Sequence, residues 1–264
     1  MRETNLPLGR ETDYPQKYAP DALCPIPRQG DRSSFSGVDI WNAWDLTWLA
    51  SGGLPRVATA EIRVPAESPS IIESKSLKLY LGSFAMSEFT SADEVAGRIA
   101  ADLSNCAGAR VDIRVLPIAE TEARPVARLA GTCLDDLDVT CTDVEVNPAL
   151  LSADDDVRVT EDLHSHLLRS LCPVTRQPDI GSVQVSYRGP RIDRAGLLRY
   201  IVSYREHNDF HEACVERMYA DILERCAPEI LTVHARYQRR GGIDINPIRS
   251  NTGVSARNLR LWRQ

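Results

Sequence analysis

The chain has 264 residues and carries 31 Lys plus Arg against 37 Asp plus Glu, a formal charge of 31 − 37 = −6. Its 43% hydrophobic and 26% charged residues are those of a globular protein, long enough for one large domain or two moderate ones. The acidic balance argues against a polynucleotide-binding surface. No apolar run reaches the ~18–20 residues of a membrane span, Met1–Tyr18 lacks the apolar stretch of a secretory signal, and seven cysteines without a CxxC pair point to reduced thiols in the cytoplasm.

Residues 1–35 are rich in Pro, Gly, Arg and Asp and predict an extended lead-in. Val38–Leu49, with three tryptophans, reads as a strand. Arg56–Val64 reads as another, with Ala58, Ala60, Ile62 and Val64 on one face and Thr59, Glu61 and Arg63 on the other. A short helix follows over Lys75–Phe84. A second starts at Ser91-Ala92-Asp93-Glu94 and lines up Val95, Ile99 and Leu103. Arg110–Leu116 and Leu137–Val146 return to strand patterning. Asn147-Pro148 and the acidic run 152–156 read as a linker. The second half repeats the order, with strands at Leu163–Cys172 and Ser182–Tyr187, helices at Arg194–Tyr204 and Phe210–Cys226, and a strand at Ile230–Tyr237.

The repetition has a register. Shifted by 120 residues, Leu77, Tyr80, Ser83, Val95, Ala100, Leu103, Cys106 and Ala107 fall on Leu197, Tyr200, Ser203, Val215, Ala220, Leu223, Cys226 and Ala227. This implies a duplicated ββααββ unit, an α+β arrangement with an antiparallel sheet and helices on one face.

The residues capable of chemistry fall into four clusters. Cys172-Pro-Val-Thr-Arg-Gln-Pro-Asp179 ends a strand on a thiol and carries a carboxylate seven residues on. Cys172 is a nucleophile if a neighbour accepts its proton, or else a small buried hydrophobe; Asp179 is a proton carrier or a turn residue. Arg205-Glu-His-Asn-Asp-Phe-His-Glu212 places His207 and His211 four apart, a spacing that suits metal binding, but the HExxH pattern is not met and Asn208 or Asp209 could equally cap the second helix. Glu73-Ser74-Lys75 begins a helix whose Lys75 and Lys78 oppose the macrodipole unless an anion is near, a hint of a phosphate ligand against the alternative of a solvated basic face. Gln238-Arg239-Arg240-Gly241-Gly242 suits a loop where the backbone approaches a ligand and arginine grips a phosphate, or an ordinary turn. No GxGxxG follows a strand, which excludes a Rossmann site by motif. His164 and His166 share a strand face and, without a third ligand at suitable spacing, are read as structural.

Four blocks together, ESKSLKLYLGSF (73–84), CPVTRQPDIGSVQVSYRG (172–189), REHNDFHEACVER (205–217) and RRGGIDINPIRS (239–250), resemble the NADPH-dependent 7-cyano-7-deazaguanine reductases, the nitrile reductases of queuosine biosynthesis. DIWNAWDLTWL (39–49) also fits. The resemblance implies the tunnelling fold (T-fold), a four-stranded antiparallel sheet with two helices on one face. Here it implies two tandem repeats, 36–150 and 151–264, after the 1–35 lead-in, with the motifs shared out as in the long members and a site built where the halves meet. It implies Cys172 as the nucleophile that forms a thioimidate, with Asp179 and His211 handling protons. Glu73, Glu212 and Phe210 would contact the deazaguanine. Ser74, Lys75, Lys78, Arg239, Arg240, Gly241 and Gly242 would hold NADPH. It further implies a free-base substrate with no direct contact to nucleic acid or membrane, no metal, and a homodimer in the cytoplasm. Two alternatives stand beside it: a zinc-dependent T-fold purine or pterin hydrolase using Cys172, His207 and His211, and a non-catalytic purine-binding module.

Overall fold

A computed structural model of the chain describes residues 13–30, 32–253 and 257–264. The protein is a mixed α+β structure that divides into two compact units. The first contains the residues before Arg32 together with Asp39–Pro125 and Arg239–Asp244; the second contains Arg32–Val38, Val126–Gln238 and the residues from Ile245 on. None of the helices among the described residues is long and apolar enough to cross a membrane.

In the first unit, β1 (Pro25–Pro27) pairs antiparallel with β4 (Ser70–Ile72), so the lead-in expected to be merely extended carries a strand. Most of β2 (Ser36–Leu49) lies here beside β3 (Pro55–Pro65), which pairs antiparallel with β5 (Asp112–Leu116). The apolar face of β3 is buried as expected, but Thr59 and Glu61 on its other face are buried too. α1 (Ser74–Gly82) is capped by Glu73, whose carboxylate accepts from the amides of Lys75 and Ser76, both at 2.7 Å. α2 (Ala92–Ala107) is capped by Ser91, and the Glu94 carboxylate reaches back to the Thr90 amide. It ends on Gly108 at φ 70°, a left-handed position. Val95, Ile99, Leu103 and Ala107 form its buried face. Asp102 accepts the hydroxyls of Tyr18 (2.5 Å) and Tyr80 (2.6 Å), tying the lead-in to both helices. α3 (Ile118–Glu122) is a single short helix after β5.

The second unit holds β6 (Thr132–Cys133), β7 (Ala153–Leu171), β8 (Pro178–Ile192), α4 (Arg194–Val202), α5 (His211–Cys226), β9 (Ile230–Tyr237) and all but the start of β10 (Ile243–Ser250). Its strand order is β10-β9-β8-β7-β6, antiparallel except for the β6–β7 pair. Two expectations fail here. Leu137–Val146 is largely exposed coil: among the described residues, the strand that pairs with β7 on this side is β6, Thr132–Cys133, which ends before Leu137. From Ala153 on, the acidic run 152–156 is no linker but the beginning of β7. β10 escapes sequence patterning because Gly-Gly and Asn-Pro punctuate that stretch.

Leu163, Leu168, Val183, Val185, Tyr187, Leu231, Val233 and Tyr237 from the sheet join Leu197, Tyr200, Ile201, Val215, Met218 and Ile222 from α4 and α5 in one core. Arg249 on β10 is fully buried and offset by Glu216 of α5 at 2.7 Å, since a buried guanidinium requires a partner. α4 is capped by Asp193, whose carboxylate accepts from the amides of Ala195 and Gly196. Tyr200 donates to Asp221 at 2.6 Å and Ser203 to the Tyr200 carbonyl, the same bonds that Tyr80 makes to Asp102 and Ser83 to the Tyr80 carbonyl. α1 and α4 each have 9 residues and stand 120 apart, whereas α2 and α5 each have 16 and stand 211 − 92 = 119 apart. The sequence register is therefore one residue off over the longer helix. Ile99, Leu103 and Ala107 match Met218, Ile222 and Cys226 in burial, while the identity partner Leu223 is only partly buried.

Candidate active site

In the second unit the end of β7, the start of β8 and the first turn of α5 converge. The β7–β8 ladder closes at Leu171 opposite Pro178 and Ser170 opposite Asp179. Cys172 follows at once. Its amide donates to the Gln177 carbonyl (3.0 Å), and its carbonyl accepts from the Arg176 amide (2.9 Å), which closes the connection into a tight loop. Arg176 sits there at φ 56°, a left-handed conformation that costs a non-glycine residue about 1–2 kcal/mol. The loop is held from the other side as well. The Leu171 amide donates to the His207 carbonyl (2.8 Å) and the Asp209 amide donates to the Leu171 carbonyl (3.2 Å). Residues 207–209 are thus pinned beside the residue that precedes Cys172, and α5 springs from that anchor.

Cys172, Asp179 and Glu212 are all buried. His211 Nε2 lies 3.3 Å from Asp179 Oδ2, and the His211 ring lies over the Tyr237 ring with centroids 3.9 Å apart and 33° between planes. Tyr237 stands opposite Gly181, where an added Cβ would come within 3.1 Å of the Tyr237 ring. Gly181 is the space into which the tyrosine fits. Phe210 immediately precedes α5, and no side chain caps that helix, in contrast to α1, α2 and α4. Glu212, in the first turn, carries the charge sign that a helix N-terminus favours.

Cys214 is fully buried further along the same helix. Burial, then Asp209, pushes its thiol up, so it stays protonated near neutrality. Burial also pushes the Tyr237 hydroxyl well up. The site therefore offers a thiol at a rigid loop, a carboxylate–imidazole pair able to pass a proton, and a second carboxylate. Sequence does not single out Tyr237, because it ends an ordinary apolar strand and its role depends on a glycine of the neighbouring strand, remote in the chain.

His207 does not join His211 in a metal pair. His207 Nε2 lies 3.7 Å from Asp209 Oδ2 and its ring packs on Tyr204, while His211 turns to Asp179. The Cys172–His207–His211 zinc set of the hydrolase alternative is not among the metal-capable groups of the described residues.

The remaining expected residues lie in the first unit. Glu73 is buried and both its carboxylate oxygens cap α1, so the anion that reconciles Lys75 and Lys78 with the helix start is Glu73 itself. Ser74 opens the helix. Gly241 and Gly242 have φ of 58° and 80°, and the Ile243 amide donates to the Arg240 carbonyl at 3.3 Å. These are the features of a type I′ turn, which needs positive φ at both central residues. A Cβ on Gly241 would meet the Lys78 side chain at 3.2 Å, and the Arg239 guanidinium lies 4.3 Å over Trp44. Arg239, Gly241 and Lys78 thus gather in one unit from distant parts of the chain.

Comparison with known proteins finds matches over most of the sequence. A family model described as nitrile reductase, 7-cyano-7-deazaguanine-reductase N-term, matches residues 14–115, and one described as QueF-like protein matches residues 178–255. The NADPH-dependent 7-cyano-7-deazaguanine reductase of Azoarcus sp. (strain BH72) is 54% identical over 254 residues, covering 93% of this chain and 90% of the relative. That of Dechloromonas aromatica (strain RCB) is 50% identical over 268 residues, covering 98% and 95%. Among solved structures, the archaeosine synthase QueF-Like in the apo form matches 37% of this chain and 94% of its own, at 21% identity and a TM-score of 0.32.

Proposed function

The chain belongs to the family of NADPH-dependent 7-cyano-7-deazaguanine reductases, and from that premise we propose how its residues divide the work. The reaction is the NADPH-dependent reduction of the nitrile of 7-cyano-7-deazaguanine to the aminomethyl group, an oxidoreductase step of queuosine biosynthesis. The convergence of Cys172, Asp179 and His211 in one buried corner carries the proposal.

Cys172 is the nucleophile. Its sulfur bonds to the nitrile carbon, the thiol proton leaves, and the nitrile π pair moves to nitrogen, which takes up a proton. The product is a thioimidate, a better electrophile than the parent nitrile. Asp179 lies across the ladder from Ser170, two residues before Cys172, and is the group placed to move that proton. His211, 3.3 Å from Asp179 and braced by Tyr237, supplies protons as nitrogen becomes an amine. Glu212 accepts hydrogen bonds from the donor-rich pyrimidine edge of the base, and Phe210 packs beside it. Glu73 is proposed for the same edge from the motif it opens.

NADPH, when bound, supplies the hydrides. The gathering of Lys78, Arg239 and Gly241 fits an anionic cofactor, since a Cβ at Gly241 would fill the space beside the Lys78 stem. Ser74, Lys75, Arg240 and Gly242 complete the proposed phosphate-binding set.

The matched lengths, acidic caps and Tyr–Asp bonds of the two helix pairs support a reading of 36–150 and 151–264 as two T-fold repeats after the 1–35 lead-in. A cytoplasmic homodimer acting on the free base belongs to the same proposal.

Intact-protein mass spectrometry with 7-cyano-7-deazaguanine and no NADPH tests the chemistry. The expected result is a mass gain equal to the substrate, absent in Cys172→Ala, which binds substrate but does not oxidise NADPH. Turnover by Cys172→Ala, or an adduct that survives the substitution, overturns it.

A further inference from the structure

The second unit carries a group of metal-capable side chains that the nitrile chemistry does not use. Cys133, His164 and His166 each offer one ligand atom, and these atoms all lie within 4.8 Å of one another. We propose that Cys133, His164 and His166 form a zinc-binding site, a clamp that fastens the segment around β6 to β7.

The geometry follows from strand pairing. β6 runs parallel to β7 with Cys133 opposite His164, so their side chains share a face, and His166, two residues on, shares it too. That face carries Gln184 and Ser182 from β8, whereas Leu163, Val183 and Val185 point to the other, helix-covered face where Asp179 also lies. The sequence shows His164-x-His166 without a third ligand; the ladder brings one from the preceding strand.

The imidazoles are already oriented. His164 Nδ1 lies 3.0 Å from the Ala130 carbonyl, which can only accept, so Nδ1 carries the proton and Nε2 holds the lone pair. His166 Nδ1 lies 2.8 Å from Ser182 Oγ. A metal-binding histidine is usually fixed by such a bond at its other nitrogen. The chain accepts a severe constraint to place Ala130: Gly131 has φ 82°, and a Cβ there would collide with the Asp162 carbonyl. Asp135 adds negative charge beside the cluster and is held by Ser165 Oγ at 2.6 Å and the His166 amide at 3.1 Å. It offsets Arg263, whose guanidinium donates to the His166 carbonyl at 2.6 Å and stacks on Trp262.

One thiolate and two imidazoles suit a borderline-soft ion and match zinc sites with three protein ligands and one open position. Tetrahedral Zn–S and Zn–N bonds set neighbouring ligand atoms about 3.3–3.6 Å apart. The group therefore closes by about 1–1.5 Å at most, through rotation of the exposed Cys133 side chain. Binding exchanges the thiol proton of Cys133 for the metal, with no change in oxidation state.

The test uses untagged full-length protein in the Cys172→Ala background, which removes the nucleophilic thiol. Cobalt(II), a spectroscopic stand-in for zinc, is expected to saturate at one equivalent per chain with a thiolate-to-metal charge-transfer band that zinc abolishes. Adding Cys133→Ser, isosteric at an exposed position, removes the band. His166→Ala keeps the thiolate but lowers affinity on the order of 100-fold or more, because even an outer-shell partner is worth about 10–100-fold. Circular dichroism confirms that each variant folds. A band that persists in Cys133→Ser, or the absence of saturable binding before that substitution, overturns the site.

Discussion

Gly181→Ala isolates the brace behind the proposed proton donor, His211. The substitution removes no proposed catalytic group and adds one methyl group beneath Tyr237. Its Cβ would stand 3.1 Å from Tyr237 Cδ1, 3.3 Å from the Arg236 carbonyl oxygen and 3.4 Å from Leu168 Cδ2. Ordinary contact begins at 3.4 Å, so the tyrosine ring must retreat by a few tenths of an ångström. The neighbours are packed, and overpacking of this kind costs about 1–3 kcal/mol of stability. The ring that moves is the one against which His211 rests at 3.9 Å, and His211 Nε2 lies 3.3 Å from Asp179 Oδ2. A misplacement of about 1 Å costs about 100-fold in rate, so a few tenths scale to roughly a three- to tenfold fall if His211 follows the ring. Steady-state NADPH oxidation is expected to show that fall in kcat with KM little changed, while the thioimidate adduct still forms in full. A protein with lowered Tm and unchanged kcat would show that Tyr237 does not position His211.

Two further outcomes follow from groups away from that corner. Burial, with Arg236 adding, lowers His234 to about 3. The unfolded imidazole titrates near 6.5, so between those values the unfolded chain binds more protons and the fold loses stability as pH falls through the window. Going from pH 7 to pH 5 is worth about 1.5 × 1.36 ≈ 2 kcal/mol. His234→Gln is expected to shrink the pH 7-to-5 difference in urea unfolding by that amount; an equal difference in both proteins would refute it. Glu73→Ala and Asp193→Ala each remove a helix cap made through two backbone amides, and each is expected to cost about 1–2 kcal/mol. Only Glu73→Ala is expected to weaken binding of 7-cyano-7-deazaguanine as well, measured by calorimetry. Equal substrate affinity in the two variants would confine Glu73 to its capping role.

The helices are legible in the sequence because their signals are local. Ser91 with Glu94 sets the start of α2 through bonds spanning three or four residues, and Gly108 ends it with a conformation that glycine adopts at little cost. Strands are legible only where the pattern meets a partner. Leu137–Val146 alternates well enough, but β7 offers it no ladder, and β10 looks like a loop because the type I′ turn and Pro247 hide a strand held by β9. The repeat register finds the first helix pair correctly and slips by one position in the second, where identities and buried positions part company.

By itself the sequence determined the chemistry of the chain: a thiol before a proline, a carboxylate seven residues on, a histidine–glutamate pair at a helix start, and the four blocks that mark the family. Composition and short-range hydrogen bonding suffice for that, because each block is contiguous. The tertiary structure decided which groups meet. Asp179 opens β8 while His211 opens α5; Gly181 and Tyr237 sit on neighbouring strands, as do Cys133 and His164. Ladder register brings the last two pairs together, and the anchor of residues 207–209 on Leu171 sets α5 over Asp179. None of these separations along the chain has a sequence period, so the brace behind His211 and the histidine–cysteine cluster emerge only once the strands are paired.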